Sequence, residues 1–168
     1  MELRSSGFVG SNSVNHYITI PVLNKSKEEL YKRTLSYVTH LKKDPQSVVS
    51  TIEGKSITIK ASTNAIKGKL PNVTYSTLYK ITLYFNEGEI KFEPLIVELK
   101  ECLRGRNFEE IVPFFISNRD SSNPYEIKAV WMVKENGASV LNEELKTSLE
   151  QWVNQYISSV MASALDNR

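Results

Sequence analysis

The sequence has few of the side chains on which protein chemistry most often depends. Among its 168 residues there is one cysteine, Cys102, and there are two histidines, His16 and His40. A single cysteine excludes a disulfide within the chain and cannot alone supply the thiolate ligands of a zinc site. The histidines are separated from each other and from Cys102, so neither a cysteine nucleophile with its base nor a histidine metal site is indicated. We expect no catalytic residue, no metal site and no cofactor, and therefore not an enzyme.

Strong charge and long apolar runs are also missing. Lysine and arginine number 21 against 19 aspartates and glutamates, a formal net charge of +2. Because the chain is so close to neutral, its charge does not indicate strong binding to nucleic acid or to an anionic membrane. No apolar run reaches the about 18 residues of a transmembrane helix, and the opening residues MELRSSGFVGSNSVNHY lack the apolar segment of a signal peptide. We predict no transmembrane segment, and composition leaves the compartment open.

What the chain does have is the composition of an ordinary globular domain. Hydrophobic residues make up 40% and charged residues 24%, and the length suits one domain with a sizeable core. Residues 1–15 are rich in serine, glycine and asparagine, which predicts a flexible arm. Residues 16–168 are predicted to form a single domain with an irregular insert at about 100–140.

The clearest local signal is a β-hairpin over Tyr75–Leu99. A two-residue turn at Glu87-Gly88 places Asn86 opposite Glu89, and Gly88 accepts the positive φ that such turns need. Because side chains alternate along a strand, one face is then apolar. Its pairs are Phe85 with Ile90, Leu83 with Phe92, Ile81 with Pro94 and Tyr79 with Ile96. The other face is mostly polar, pairing Tyr84 with Lys91, Thr82 with Glu93 and Lys80 with Leu95.

A second hairpin precedes it, in SVVSTIEGKSITIKAST. A two-residue turn at Gly54-Lys55 suits a type II′ turn. This register predicts that the β-branched and small residues of both strands share the core face. The predicted pairs are Ile52 with Ile57, Ser50 with Ile59 and Val48 with Ala61.

Two helices and one short strand complete the pattern. A strand at His16–Leu23 carries Pro21, which lacks an amide donor and indicates an edge position. A helix begins near Ser26, which forms a capping box with Glu29. A long helix runs from Asn142 to about residue 165, and we interpret its Trp152 and Tyr156 as anchors against a sheet. The predicted fold is α+β, a single antiparallel sheet in β-α-β-β-β-β order with both helices packed on one face.

Three segments resemble a known family: the capped helix KSKEELYKRTLSYV, the hairpin EGKSITIKAS and the hairpin YSTLYKITLYFNEGEIKFEP. They are similar to a domain-of-unknown-function family of Bacteroidetes-type bacteria that is assigned a TATA-binding-protein-like fold. The similarity covers roughly residues 16–99. It implies that fold, residence in the periplasm or cell envelope, and no known activity. Its motifs carry over no functional residue, and the insert at about 100–140 departs from the family pattern.

Packing both helices on one face leaves the other face of the sheet open. The candidate binding residues on that open side are Lys60, Lys80, Tyr84 and Lys91. We expect a non-enzymatic binding or assembly module that uses this side to contact a partner protein or a second copy of the chain. Nucleic-acid binding through the same side is an alternative, disfavoured because the side carries one aromatic residue and no arginine.

A further alternative concerns the aromatic residues of the insert. Phe114, Tyr125 and Trp131 are candidates to line a pocket between sheet, insert and C-terminal helix that admits a small apolar ligand. The simpler interpretation is that they form a satellite core beneath the edge of the sheet.

Overall fold

Two helices lie on one face of an antiparallel sheet in the computed structural model, which describes residues 1–4, 7–41, 48–67, 73–103, 109–112 and 143–165. The elements in chain order are β1 (Glu2–Arg4), β2 (Gly7–Val9), β3 (Ile18–Pro21), α1 (Lys27–Leu41), β4 (Val48–Ile52), β5 (Ser56–Lys67), β6 (Val73–Asn86), β7 (Glu89–Leu103), β8 (Glu109–Val112) and α2 (Glu143–Leu165). The predicted α+β class is confirmed.

The main sheet has the strand order β3-β7-β6-β5-β4, and β8 pairs with the far half of β7. All of its pairings are antiparallel. Strand β3 lies at one end of the order, which confirms the edge position indicated by Pro21. Strands β7 and β8 also bring regular structure into the insert that the sequence predicted to be irregular from about residue 100.

The hairpin of β6 and β7 has the predicted register. Phe85 pairs with Ile90 and Tyr79 with Ile96, and Gly88 has a φ of 68° at the turn. The turn is fixed from outside as well: the Gly88 amide donates to the Lys25 carbonyl oxygen at 3.0 Å, and the Val22 amide donates to the Gly88 carbonyl oxygen at 2.7 Å. Local turn chemistry and side-chain alternation therefore suffice to define this hairpin.

The core lies between the sheet and the helices. From the sheet it takes the predicted apolar face of the main hairpin together with Ile57, Ile59 and Ala61, all of which are buried. From α2 it takes a stripe at helical spacing, with Leu145, Leu149, Val153, Ile157, Val160 and Ala164 buried. Trp152 packs on Tyr79 with 4.7 Å between ring centroids, and Tyr156 lies 6.1 Å from Phe92. Both rings are sheet anchors, as predicted.

Helix α1 begins as its sequence indicates. The Glu29 amide donates to Ser26 Oγ at 3.2 Å, which is the first half of the predicted capping box. The Glu29 carboxylate accepts hydrogen bonds from Lys25 Nζ and Arg33 Nη2, each at 2.6 Å. The hydrogen bond from Lys25, with support from Arg33, holds the pKa of Glu29 below its ordinary value. His40, predicted to be a surface or capping residue, is exposed, and its Nδ1 lies 2.7 Å from the Ser36 carbonyl oxygen.

The predicted register of β4 against β5 is wrong by one residue. Ile52 pairs with Ser56, Ser50 with Thr58 and Val48 with Lys60. The connection is three residues long rather than two, with Gly54 at a φ of 62° and the Lys55 amide donating to the Ile52 carbonyl oxygen. Because side chains alternate, a shift of one residue moves a whole set to the other face. Val48 and Ile52, expected in the core, are exposed on the open side.

The flexible arm predicted at residues 1–15 is wrong for the residues described there. Strands β1 and β2 pair with each other, and Leu3, Phe8 and Val9 are buried. The Met1 ammonium donates to Asn154 Oδ1 at 2.6 Å, and the Leu3 amide donates to Glu150 Oε1 at 2.7 Å. Each strand is only three residues long, too short for its alternation to stand out from the serine- and glycine-rich surroundings.

Among the described residues, no helix combines the length and the apolarity needed to cross a bilayer.

Candidate functional site: the open face of the sheet

The open face is the side of the sheet turned away from α1 and α2. Its residues alternate with the core residues along each strand. On the described strands we define it by Val48, Ile52, Thr58, Lys60, Lys80, Thr82, Tyr84, Lys91, Glu93, Leu95 and Val97. The pairing places Val48, Lys60, Lys80 and Leu95 in one row across β4, β5, β6 and β7.

Large apolar side chains are exposed on this face. Val48 is 64% exposed, Ile52 61%, Leu95 49%, Val97 48% and Tyr84 40%. The first two lie on β4 and the next two on β7, so apolar groups flank the face on both sides. Val97 is an extra residue at an irregularity of the pairing, where Tyr79 pairs with Ile96 and Leu78 with Glu98. Single exposed apolar residues are common, and here five of them lie on one side of one sheet.

Two lysines occupy the middle of the row. Lys60 and Lys80 are direct cross-strand partners, and both are exposed. In the part of the chain that the structure describes, neither forms an ion pair. Like charges directly opposite each other destabilise a strand pair. A carboxylate from a bound partner would relieve this repulsion.

The third lysine of the face is already engaged. Lys91 Nζ lies 3.8 Å from the centroid of the Tyr17 ring, 5.3 Å from that of Tyr84 and 3.8 Å from Glu93 Oε2. Two aromatic rings and a carboxylate therefore share its charge. Glu93 keeps a side chain that is 42% exposed, so it can still approach a second cation.

All four predicted binding residues lie on the open face, but in two groups. Lys60 and Lys80 form the central pair, and Tyr84 with Lys91 forms a second cross-strand pair. Lys80 and Tyr84 are four positions apart along β6, about 13 Å at the usual rise of a strand. The predicted pocket residues Phe114, Tyr125 and Trp131 lie outside the described residues.

The sequence missed three members of this face. Val48 and Ile52 were assigned to the core through the wrong register, and Val97 lies where the alternation of β7 is interrupted. Counting Glu53 with Gly54 and Lys55 as a three-residue turn is the signal that would have placed the two β4 residues correctly.

The described residues show no arrangement of catalytic type on this face. In the ranges that the structure covers, no group of three histidine, cysteine, aspartate or glutamate side chains is placed to hold a metal ion. Burial against the sheet, with Tyr79 and Tyr37 nearby, raises the pKa of Tyr156 above its ordinary value. That hydroxyl belongs to the core side of the sheet and not to the open face.

Comparison with solved structures agrees with this architecture. A TBP-like protein from Parabacteroides distasonis superposes with a TM-score of 0.59 at 14% identity, over 90% of this chain and 92% of that one. A DUF4468 family protein from Bacteroides ovatus superposes with a TM-score of 0.57 at 12% identity, over 93% of this chain and 92% of that one. No family model and no curated protein matches the sequence. The fold is thus TATA-binding-protein-like, and its likeness to Bacteroidetes proteins confirms the resemblance drawn from the sequence at the level of fold.

Proposed function

We propose that the protein is a non-enzymatic assembly module that associates with a second copy of itself through the open face. The observation that carries this proposal is the exposure of Val48, Ile52, Tyr84, Leu95 and Val97 on one side of one sheet. Burying such groups between two copies removes apolar area from water, which is the dominant favourable term in association.

The dimensions of the face support a dimer. Five strands at roughly 4.8 Å spacing are about 19 Å wide, and the 14 residues of β6 extend about 45 Å. These extents reach the roughly 800 Å² per partner of a standard interface. Two such sheets pack face to face at about 10 Å, with their side chains interdigitating.

One pair of opposite charges on the face suits a second copy as the occupant, although Lys80 of the two copies then face each other. A two-fold axis that lies in the interface parallel to β6 places β5 of one copy over β7 of the other and β6 over β6. Lys60 of each copy then lies within side-chain reach of Glu93 of the partner copy. Each copy therefore supplies both a cation without an ion pair and an exposed carboxylate, and the symmetry uses each pair twice.

Sedimentation velocity on the full chain tests the proposal. We expect a monomer–dimer equilibrium across about two decades of concentration, and we expect Leu95→Asp to shift it towards monomer. The matched control is Leu23→Asp, the same change at a residue that is 79% exposed and lies outside the open face, which should leave the equilibrium unchanged. Should Leu95→Asp fail to fold, Lys60→Glu should weaken the dimer, and adding Glu93→Lys should restore it.

The outcomes separate the alternatives. A wild-type protein that stays monomeric throughout, or a dimer equally weakened by both aspartate variants, would refute self-association through this face. A salt-dependent mobility shift with mixed DNA would instead favour nucleic-acid binding. That outcome is disfavoured by one exposed aromatic residue and the lack of arginine on the described open face.

We also propose that the module resides in the cell envelope. The support is the resemblance of the helix and two hairpins to a family whose members mostly carry export signals. A face that assembles copies of one small domain suits a role at a surface, where local concentration is high.

A further inference from the structure

We propose that the cleft between α1 and α2 binds the phosphate group of a phosphate monoester. The cleft lies on the helix side of the molecule, away from the open face, so its function is separate from assembly through the sheet. Eight residues from the two helices line it, and none of these described residues is acidic.

Basic side chains of α1 line one wall. Lys32, Ser36 and His40 recur every four residues and therefore lie on one face of the helix, with Arg33 and Tyr37 beside them. Lys32 takes part in no ion pair among the described residues. This wall presents two permanent cations and one imidazole to the same space, a charge pattern that suits a dianion.

Arg33 is the residue that points most directly to an anion. Its side chain is only 24% exposed. Nη2 donates to Glu29 Oε1 at 2.6 Å, but Nη1 is buried and has no hydrogen-bond partner in the described structure. A buried charged donor without an acceptor costs free energy. Nη1 is enclosed by protein, so a phosphate oxygen in the cleft would supply the missing acceptor only after the Arg33 side chain turns towards the cleft, where guanidinium and phosphate match in geometry.

His40 lines the same wall through its second ring nitrogen. Its Nδ1 lies 2.7 Å from the Ser36 carbonyl oxygen, which can only accept, so Nδ1 carries a proton. Nε2 is therefore the ring nitrogen available to a ligand in the cleft.

The wall formed by α2 supplies hydroxyls and a small apolar residue. Ser159 Oγ donates to the Gln155 carbonyl oxygen at 3.0 Å, and Ser163 Oγ donates to the Val160 carbonyl oxygen at 2.7 Å. Both hydroxyls can rotate to donate to a phosphate oxygen instead. Ala162, between them, keeps the cleft open.

The cleft opens broadly to solvent and has room for a ligand larger than inorganic phosphate. Its volume is about 720 Å³, within the range of small-molecule sites. The Tyr37 ring and Ala162 offer apolar contact to an organic group attached to the phosphate. A soluble phosphate monoester and a lipid headgroup with a terminal phosphate share this chemistry.

Isothermal titration calorimetry with phenyl phosphate tests the site on the full chain. We expect saturable binding, weakened about tenfold or more by Arg33→Gln, the loss expected for a charge-assisted hydrogen bond. Lys55→Gln, which removes the same charge at an exposed turn residue, should have no effect. Ala162→Glu places a carboxylate in the cleft at an exposed helix position and should abolish binding, whereas the neutral Ala162→Gln should weaken it less than about threefold.

Further binding measurements identify the source of the phosphate group. The ligand is a lipid headgroup if phenyl phosphate does not bind but phosphatidylcholine vesicles containing phosphatidic acid do. In that case Ala162→Glu should abolish binding to the vesicles, whereas Ala162→Gln should not. Equal affinity for benzoate would overturn the assignment of a phosphate. So would a lack of binding to both probes, or binding that Ala162→Glu leaves intact.

Discussion

Two buried threonines lie in the core without a hydrogen-bond partner for their hydroxyls. Thr34 on α1 and Thr77 on β6 are fully buried, and each Oγ1 lacks a partner within the described structure. A buried hydroxyl without a partner costs about 1–3 kcal/mol, whereas an apolar group of the same shape costs nothing of this kind. These hydroxyls therefore mark positions at which the core can be improved.

Thr77→Val should stabilise the protein. Valine has nearly the same shape and suits a strand, so we expect the free energy of unfolding to rise by about 1 kcal/mol, measured by urea denaturation. Thr19→Val, the same change at an exposed position of β3, should have little effect. A loss of stability in Thr77→Val would mean that the hydroxyl does have a partner.

Residue contacts also explain how the two ends of the described chain are joined. The Met1 ammonium and the Leu3 amide both donate to side chains of α2, on Asn154 and Glu150. Asn154 Nδ2 in turn donates to the Met1 carbonyl oxygen at 3.2 Å. The hairpin of β1 and β2 is thereby held against the long helix by polar contacts as well as by its buried apolar residues.

At the scale of elements, this N-terminal hairpin is part of the core rather than an arm. Leu3→Ala should lower the free energy of unfolding by about 2–4 kcal/mol, because Leu3 is 1% exposed and its truncation leaves a cavity. Leu23→Ala, at a residue that is 79% exposed, should change it by less than about 0.5 kcal/mol. Chemical denaturation of both variants measures the difference. Equally small effects of the two substitutions would contradict the burial of this hairpin and favour the prediction of a flexible arm.

The connection between β4 and β5 is the element that decides the chemistry of the open face. A two-residue turn would have turned Val48 and Ile52 into the core, whereas the three-residue turn turns them outward. One residue in a turn therefore determines whether β4 contributes to the core or to the open face.

At the scale of the whole molecule, the helices and the sheet present two different surfaces. The sheet offers apolar side chains around a lysine pair, and the cleft between the helices offers basic side chains and hydroxyls. The two surfaces lie on opposite sides of the core, so assembly through one leaves the other accessible.

The proposed envelope residence is also a property of the whole molecule. When the full-length gene with a C-terminal tag is expressed in a Bacteroides host, we expect the tagged protein in the periplasmic or membrane fraction. A cytoplasmic enzyme and a periplasmic enzyme in the same fractionation serve as controls. Recovery with the cytoplasmic marker would contradict envelope residence without affecting the proposals on the two surfaces.

The sequence alone determined the elements whose signals are local. The register of β6 with β7 follows from one turn and strict alternation, α2 follows from its apolar spacing, and the edge position of β3 follows from Pro21. The fold class follows from their order. In each case the information lies within about 25 residues, so a single sequence is enough.

Only the tertiary structure decided the rest. The burial of β1 and β2 depends on α2, about 150 residues later in the sequence. The cleft brings Arg33 and Lys32 next to Ser159 and Ala162, and no spacing along the chain shows that proximity. The register of β4 depends on whether its turn has two or three residues, and the local sequence fits both lengths until the strands are paired. Contacts between distant segments follow from the packing of the whole core, because only there do the competing local alternatives differ in energy.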